Sequence, residues 1–172
     1  MDNITIRKAT VGDTNNLTVL KQQVWIATYA TEGIRTEFST YVLTTYTPRN
    51  VSKQLRSNHV ITLVAEYNRH LIGCIEVDLQ PNNAPSEVYE FPEITVLYVL
   101  ERFCGMKVGE KLLIEAMSIL RSKGYSQTWL SVLHSNSRAL RFYQKHLFTD
   151  VGTLYFEMDG NRYENRIMQR II

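Results

Sequence analysis

Gly105 and Gly109 lie between two segments whose residue patterns differ. Residues 93–99 are mostly apolar and β-branched, a pattern typical of a buried central strand. Beyond the glycines the apolar residues recur at helical spacing, and they are Leu112, Leu113, Ala116, Ile119 and Leu120. A strand that turns through small residues into a helix N-terminus presents unpaired N–H groups and the positive end of the helix dipole, which favour a phosphate. The glycines alone are equally typical of an ordinary strand-to-helix turn.

The surrounding residues do not complete a known nucleotide or metal motif. No Gly-Lys-Ser/Thr sequence follows the turn, and its glycine spacing differs from G-x-G-x-x-G, so neither a P-loop NTPase nor a dinucleotide-binding protein is indicated. Cys74 and Cys104 form no C-x-x-C pair and have no neighbouring histidine cluster, so we expect neither a disulfide framework nor a metal site. Cys104 is interpreted as a small packing residue rather than a nucleophile.

Composition indicates one globular domain of ordinary size. The chain has 172 residues, 44% of them hydrophobic and 21% charged, so a single domain over residues 1–172 is expected. Its formal charge of +2 is far from the basic balance of nucleic-acid-binding proteins, so no nucleic-acid partner is expected. The first residues alternate like a strand, and no apolar run approaches the length of a membrane span. We therefore expect a cytoplasmic protein without a membrane partner.

The strands and helices that must position the turn follow from periodicity. Strands are predicted at residues 3–9, 60–66, 71–79, 93–99, 126–133, 153–158 and 162–171. Helices are predicted to begin near Asp13, Pro48, Gly109 and Asn136, and residues 29–46 are expected to form a loop with a short helix. Asn68-Arg69-His70 and Asp159-Gly160 are typical of hairpin turns. The order of strands and helices indicates an α/β protein.

A second segment, from Asn136 to Phe148, carries an ordered motif. Its residues fit the pattern Asn-x-x-Ala-x-x-Phe-Tyr-x-Lys-x-Gly-Phe except at one glycine, with matches at Asn136, Ala139, Phe142, Tyr143, Lys145 and Phe148. This segment resembles the acetyl-CoA-binding half of the GNAT superfamily of N-acetyltransferases. The likeness extends to residues 6–10 with Asp13, to Ile72-Gly73 and to residues 97–99, so it covers nearly the whole chain.

The resemblance implies a GNAT-like α/β (α+β) fold with acetyl-CoA as the cofactor. In such a fold a central mixed, mostly antiparallel sheet of about seven strands is flanked by about four helices, and a cofactor cleft lies between the fourth and fifth strands. The cofactor-binding residues it implies are Leu97, Tyr98, Val99, Cys104, Gly105, Met106, Lys107, Val108, Gly109, Asn136, Arg138, Phe142, Tyr143 and Lys145.

Three positions depart from the family pattern. The family's pyrophosphate loop has Gln or Arg where this chain has Cys104 and glycine where it has Lys107, and a later glycine is replaced by Leu147. Because the family binds the pyrophosphate mainly through backbone N–H groups, these changes need not remove the site. We expect Lys107 to avoid a positive φ, which strains residues that have a Cβ, and to point outward.

The implied reaction requires a neutral amine as the nucleophile. An alkylammonium with a pKa near 10.4 is neutral in roughly one molecule per 2,500 at pH 7, so a base must take its proton. The resemblance favours Glu93 as this base, directly or through water, with Glu76 second; a solvated strand-end carboxylate is the alternative for Glu93. It places Tyr143 where the family has an acid that stabilises or protonates the departing thiolate, and a ring that only packs is the alternative. Asn136 either caps its helix or binds the pantetheine arm.

The acceptor site is less well determined. The family builds it from the first helix region, the loop before the central strand and the last hairpin, and the candidate substrate residues there are Trp25, Tyr29, Glu76 and Glu90. Glu87, Glu90 and Glu93, with Tyr89 among them, would attract a cationic amine such as a polyamine, an aminoglycoside, a lysine or a peptide N-terminus; solvated charge is the alternative. The aromatic residues equally suit a core or an interface, so a homodimer stays open.

Two rival functions remain at this point. A non-catalytic acetyl-CoA-binding or protein-interaction module on the same fold would bind the cofactor without releasing its thiol in the presence of an amine. A nucleic-acid binder that uses Arg138, Arg141 and Lys145 would show steeply salt-dependent binding to oligonucleotides, but these charges share a helix that the resemblance assigns to cofactor phosphates.

Overall fold

The structure is a computed structural model, and it describes residues 4–82, 84–88 and 90–172. Asn3, at the start of the first predicted strand, and Tyr89, in the acidic loop, lie outside the described residues. Among the described helices, none combines the length and the hydrophobicity that crossing a bilayer requires.

The described residues form seven strands and five α-helices. The strands are β1 (Ile4–Lys8), β2 (Val60–Tyr67), β3 (His70–Asp78), β4 (Glu93–Val99), β5 (Gln127–Leu133), β6 (Thr149–Met158) and β7 (Asn161–Ile171). The helices are α1 (Thr14–Tyr29), α2 (Thr36–Thr45), α3 (Pro48–Leu55), α4 (Val108–Ser122) and α5 (Ser137–Lys145). About four helices were expected; the fifth is α2, which occupies ten residues of the segment predicted as a loop with a short helix.

The strands form one sheet in the order β1-β2-β3-β4-β5-β7-β6. β4 and β5 are parallel, whereas β1 with β2, β5 with β7 and β6 with β7 are antiparallel. The predicted mixed and mostly antiparallel sheet is therefore confirmed, and so is the GNAT-like α/β class. By compactness the chain divides into two units, residues 1–77 with 96–116 and residues 78–95 with 117–172. That residues 1–172 act as one domain stays a prediction.

The first unit contains β1, β2, β3 as far as Val77, the first three helices, the part of β4 from Val96 and the part of α4 up to Ala116. Its core includes Leu17, Leu20, Val51, Val64, Cys74 and Val96. The predicted start of α3 is confirmed, because the hydroxyl of Thr47 accepts a hydrogen bond from the Asn50 N–H at 3.1 Å and Pro48 is the first helical residue. The β2–β3 turn is confirmed as a tight hairpin, with positive φ at Asn68 and Arg69.

The second unit is built on β5, β6 and β7 around a small core of Val88, Trp129 and Ile167. The predicted β6–β7 turn is confirmed, since Asp159 and Gly160 have φ values of 48° and 79°. β6 begins at Thr149, earlier than residue 153, where the sequence places its start. The reason is that its first three residues are exposed and a bulge lies between Asp150 and Gly152, so apolar alternation does not mark this part of the strand.

Candidate active site

The turn before α4 is positioned by neighbours in the first unit. β4 ends at Val99, the Leu100 N–H donates to the Ile72 carbonyl at 2.9 Å, and a 3₁₀ turn over Glu101–Phe103 follows. Gly105 then has a φ of 87°, and α4 begins at Val108, whose side chain is buried. The first N–H groups of a helix have no acceptor inside it, so this turn presents backbone donors where the sequence predicts an anion site.

Gly73 on β3 allows this arrangement, and the sequence did not single it out for that role. A Cβ at residue 73 would lie 2.8 Å from the Tyr98 carbonyl oxygen and 3.3 Å from Cγ1 of Val108. Glycine is therefore required for the backbones of β3 and β4 and the start of α4 to approach this closely. The sequence signal was a glycine inside a strand pattern, which often marks close contact.

The prediction for Lys107 is wrong. Lys107 is exposed, as expected, but its φ is +59°, in the left-handed region that the sequence argument excluded. Leu147, the other residue that stands where the family has glycine, has a φ of +65° and is 73% exposed. In both places the backbone keeps the conformation that suits glycine, because the surrounding structure imposes it: the Lys107 carbonyl accepts from Lys111 N–H, and Phe148 N–H bonds back to Tyr143.

Cys104 precedes this turn and is exposed. Its Sγ faces the carbonyl oxygens of Val99 and Leu100 and the carboxylate of Glu101 at 3.8 to 4.0 Å, the distances of weak thiol hydrogen bonds. The thiol therefore contacts the chain that leads into the turn.

Aromatic side chains of the first unit form a stack that reaches β4. The ring of Trp25 is stacked between those of Tyr29 and Tyr41, with centroid distances of 4.5 and 4.9 Å, and the ring of Tyr46 meets Tyr41 edge-on at 6.2 Å. The Tyr46 hydroxyl lies 3.1 Å from the Tyr98 hydroxyl. Burial raises the pKa of Tyr29 to about 12 and raises those of Tyr41, Tyr46 and Tyr98 as well. All these phenols are therefore neutral at physiological pH.

The three β4 residues that the sequence predicts to bind the pantetheine arm are half-buried; they are Leu97, Tyr98 and Val99. In the turn that follows, Met106 is half-buried, Val108 is buried and Gly109 is half-buried. The structure thus brings the turn next to β4 within one unit, through Gly73, and places Tyr98 at the junction of the turn and the aromatic stack.

Glu76, the second candidate base, is fully enclosed in the first unit. It forms an ion pair with Lys21, and both side chains are at most 2% exposed. Its other oxygen accepts a hydrogen bond from Gln54 Nε2 at 2.8 Å, and Lys21 Nζ donates to Gln54 Oε1 at 3.0 Å. Lys21 and Gln54 were not recognised from the sequence, because a lysine and a glutamine on amphipathic helices are ordinarily on the surface.

Glu93, the first candidate base, has a different environment in the second unit. It is half-buried at the start of β4, next to Pro92, whose carbonyl accepts from the Trp129 N–H at 3.2 Å and from the Thr128 hydroxyl at 2.9 Å. Burial, and then the negative charge of Asp78, raise the pKa of Glu93 to about 7. Asp78 was not recognised from the sequence as a residue that acts on Glu93. The feature that could have indicated it is its position at the end of the predicted strand that precedes β4.

Tyr143 lies on α5 and is only 8% exposed. Its ring contacts those of Phe142 and Phe148 edge-on, with centroid distances of 5.3 and 5.5 Å. The backbone carbonyl of Tyr143 accepts a hydrogen bond from the Phe148 N–H at 3.0 Å. This bond ends α5 and holds the backbone of Tyr143 in place. Packing of this ring, one of the two alternatives, is therefore present, and it also holds the phenol in one place.

The remaining predicted residues of the second unit lie on its surface or close to it. Asn136 caps α5, since its side-chain oxygen accepts the Ala139 N–H at 3.1 Å. Arg138 and Lys145 are exposed on the same helix, and Phe142 is half-buried. Glu90 is exposed in the loop before β4. Trp25 and Tyr29 contact each other, whereas Glu93 and Tyr143 lie on separate elements.

Solved structures share this fold. The crystal structure of PaiA N-acetyltransferase from Thermoplasma acidophilum in complex with coenzyme A has a TM-score of 0.77 at 26% sequence identity, and the match covers 99% of each chain. A GCN5-related N-acetyltransferase from Rhodopseudomonas palustris has a TM-score of 0.73 at 16% identity, over 100% of this chain and 98% of that one. The fold and the glycine-bearing turn thus define a protein of the N-acetyltransferase class.

Sequence comparison identifies the family. Residues 28–148 match the model of the acetyltransferase (GNAT) family. The chain is 30% identical over 151 residues to the spermidine N(1)-acetyltransferase of Thermoplasma acidophilum. This match covers 84% of this chain and 88% of that protein. This chain belongs to the GNAT acetyltransferase family and is an acetyl-CoA-dependent N-acetyltransferase, which confirms the resemblance.

The residues of the turn suit the diphosphate of acetyl-CoA. The start of α4 offers N–H donors and the positive end of a helix dipole, and the exposed Lys107 adds a cation beside them. The individual cofactor contacts named from the sequence stay predictions, as does the cofactor cleft between the fourth and fifth strands.

Proposed function

We propose that this enzyme acetylates a primary amine of a polyamine-like acceptor, with Glu93 as the general base and Tyr143 as the general acid. The observation that carries the proposal is the half-buried position of Glu93 at the start of β4, where burial and the negative charge of Asp78 raise its pKa to about 7. A base is most effective when its pKa is close to the working pH, and an ordinary glutamate falls short of this.

Glu93 is better suited to the role than Glu76. The Glu76 carboxylate is paired with Lys21 and bonded to Gln54 in the interior, so taking a proton would break a compensated ion pair. Glu93 would take the proton from the acceptor's ammonium group, directly or through a water molecule, and leave the nitrogen neutral.

Tyr143 is proposed to act on the leaving sulfur. When bound, acetyl-CoA supplies the acetyl group and departs as a thiol. The ring of Tyr143 is held by Phe142 and Phe148, so its hydroxyl is pre-positioned to donate a hydrogen bond or a proton to the thiolate. Asn136 and the exposed Arg138 and Lys145 on the same helix are proposed to contact the cofactor, the last two through its phosphates.

The acceptor class rests on two supports. A relative that matches most of the chain is a spermidine acetyltransferase. Among the acceptor candidates, Tyr29 is a half-buried aromatic residue of the first unit and Glu90 is an exposed carboxylate of the second, and each kind of group favours organic cations, whereas Trp25 is buried in the aromatic stack. Aminoglycosides, lysine side chains and peptide N-termini are the alternative acceptors.

Thiol release from acetyl-CoA over a panel of amines tests the proposal. The panel contains spermidine, a diamine, a matched monoamine, an aminoglycoside and a peptide with a free N-terminus. We expect the polyamine to give the highest kcat/KM, and Glu93→Gln and Tyr143→Phe each to lower kcat at pH 7 by about 10²-fold.

Two conservative variants serve as controls. Glu115→Gln removes an exposed carboxylate on α4, and Tyr125→Phe removes a phenol on the segment after α4; each should lower kcat far less than the variant at Glu93 or Tyr143. Binding of acetyl-CoA without thiol release from any amine would favour the non-catalytic module instead. Full activity of Glu93→Gln would remove Glu93 from the mechanism.

A further inference from the structure

Four tyrosines of the first unit bring their hydroxyl groups into one region. Tyr29 comes from α1, Tyr41 from α2, Tyr46 follows α2 and Tyr98 comes from β4. Burial, and then the other three tyrosines, raise the pKa of Tyr98, so all four side chains lie close enough to affect one another. Tyr29, Tyr41 and Tyr98 are only half-buried, so the cluster is not sealed within the core.

The cluster carries no net charge. The nearest carboxylate that acts on Tyr46 is Glu76, and Lys21 neutralises it while lying 5.8 Å from the centre of the Tyr46 ring. The phenols stay protonated because burial raises the pKa of each of them. Attraction for a cation in this region must therefore come from ring faces and hydroxyl oxygens, and not from Glu76, which the sequence suggested as a substrate residue.

The hydroxyl pair has oxygen lone pairs beyond those that its known hydrogen bonds use. The two oxygens lie 3.1 Å apart and share one hydrogen bond, and the Tyr46 side chain also hydrogen-bonds that of Tyr41, but each phenol oxygen can accept two hydrogen bonds. Lone pairs of two adjacent phenols suit the N–H groups of an ammonium, and the faces of the rings in the stack attract the same cation and pack against methylene groups.

We propose that the Tyr46–Tyr98 hydroxyl pair is a specificity-determining contact that holds the second, non-reacting ammonium of a di- or polyamine acceptor. The aliphatic chain of the acceptor then lies along the stacked rings of Tyr29 and Tyr41. This inference rests on the proposed acetyl transfer to an amine and adds the group that selects among amines.

The test is a preference ratio measured within each variant. The kcat/KM for a linear diamine is divided by that for the monoamine of the same chain length, so that a general loss of activity cancels. We expect Tyr46→Phe, which removes one hydroxyl and keeps the ring, to lower the ratio about tenfold or more. Tyr98→Phe should lower the ratio similarly, and the double variant should add little, because the two hydroxyls act as a unit.

Tyr125→Phe is the matched control, because it makes the same change on the segment after α4, which belongs neither to the cluster nor to the proposed acceptor site, and it should leave the ratio unaltered. Thermal unfolding and the KM for acetyl-CoA identify variants that fail for structural reasons. An unchanged ratio in both Tyr46→Phe and Tyr98→Phe would overturn this inference alone. Absence of thiol release by the wild-type protein with every amine would overturn the proposed function together with it.

Discussion

Lys21 and Glu76 form an ion pair in the interior of the first unit, where Gln54 bridges them. The pair compensates the charge of Glu76, whereas Glu93 is half-buried in the second unit with another carboxylate, Asp78, acting on it. The two glutamates that the sequence ranks as alternative bases therefore have opposite electrostatic environments. One is held as a structural carboxylate, and the other has a pKa suited to proton transfer.

Lys21→Met should destabilise the protein strongly. The substitution leaves the Glu76 carboxylate buried without its counter-charge, and removal of one partner of a buried ion pair costs about 3–5 kcal/mol. The free energy of unfolding from urea titration measures the effect. Lys21→Met combined with Glu76→Leu, which removes both charges, should recover most of the loss. If Lys21→Met alone is as stable as the wild type, the ion pair between Lys21 and Glu76 is not formed in solution.

Glu93→Gln should stabilise the protein at neutral and higher pH. Because the folded-state pKa is raised from an ordinary 4.5 to about 7, the folded protein binds a proton that the unfolded chain has released, so Glu93 lowers stability as pH rises between these values. The gain in the free energy of unfolding of Glu93→Gln over the wild type is at most about 3 kcal/mol. Urea unfolding of both proteins at pH 4.5 and pH 8 measures it. We expect a gain at pH 8 that is largely absent at pH 4.5; equal differences at both values would contradict the raised pKa.

Asp78→Asn should shift the pH dependence of the reaction. Its negative charge helps to raise the pKa of Glu93, so its neutralisation should move the rise of kcat/KM with pH to lower pH. The midpoint of the pH profile should shift by less than half of the rise in the Glu93 pKa above its ordinary value, because burial, which remains, is the larger cause of that rise. Asparagine keeps the oxygen that accepts the Gln80 N–H at 2.9 Å, which preserves the local turn. A profile that keeps its midpoint, or moves to higher pH, would exclude coupling between the two carboxylates.

Lys107→Gly should raise stability and weaken cofactor binding at the same time. Glycine relieves the positive φ, and after its larger unfolded-state entropy is subtracted the gain is about 0.5–1 kcal/mol. Loss of the ammonium next to the start of α4 should raise the KM for acetyl-CoA, with a weaker dependence on salt.

Leu147→Gly is the matched control for this experiment, since it relieves the same backbone strain at an exposed residue and removes no charge. It should raise the melting temperature and leave the KM for acetyl-CoA unchanged. If Lys107→Gly also leaves that KM unchanged, or lowers it, the lysine contributes nothing to the cofactor and only strains the loop.

Much of the fold could be predicted because it is encoded locally. The apolar run before the turn, the Thr47-Pro48 cap and the Asp159-Gly160 hairpin are each decided by residues a few positions apart, and the structure has all three. α2 was underestimated because its polar and aromatic residues lack a clear apolar periodicity. The conformation of Lys107 differs from the prediction because its own Cβ favours a negative φ, whereas the neighbouring residues impose the turn.

The sequence by itself determined the order of strands and helices, the glycine-bearing turn and the family, because periodicity, turn chemistry and an ordered motif are all properties of short segments. Only the tertiary structure decided that Lys21 neutralises Glu76, that Asp78 acts on Glu93 and that Tyr46 meets Tyr98. Each of these pairs joins residues from different elements, and burial, which sets their charges and hydrogen bonds, arises only when those elements pack together.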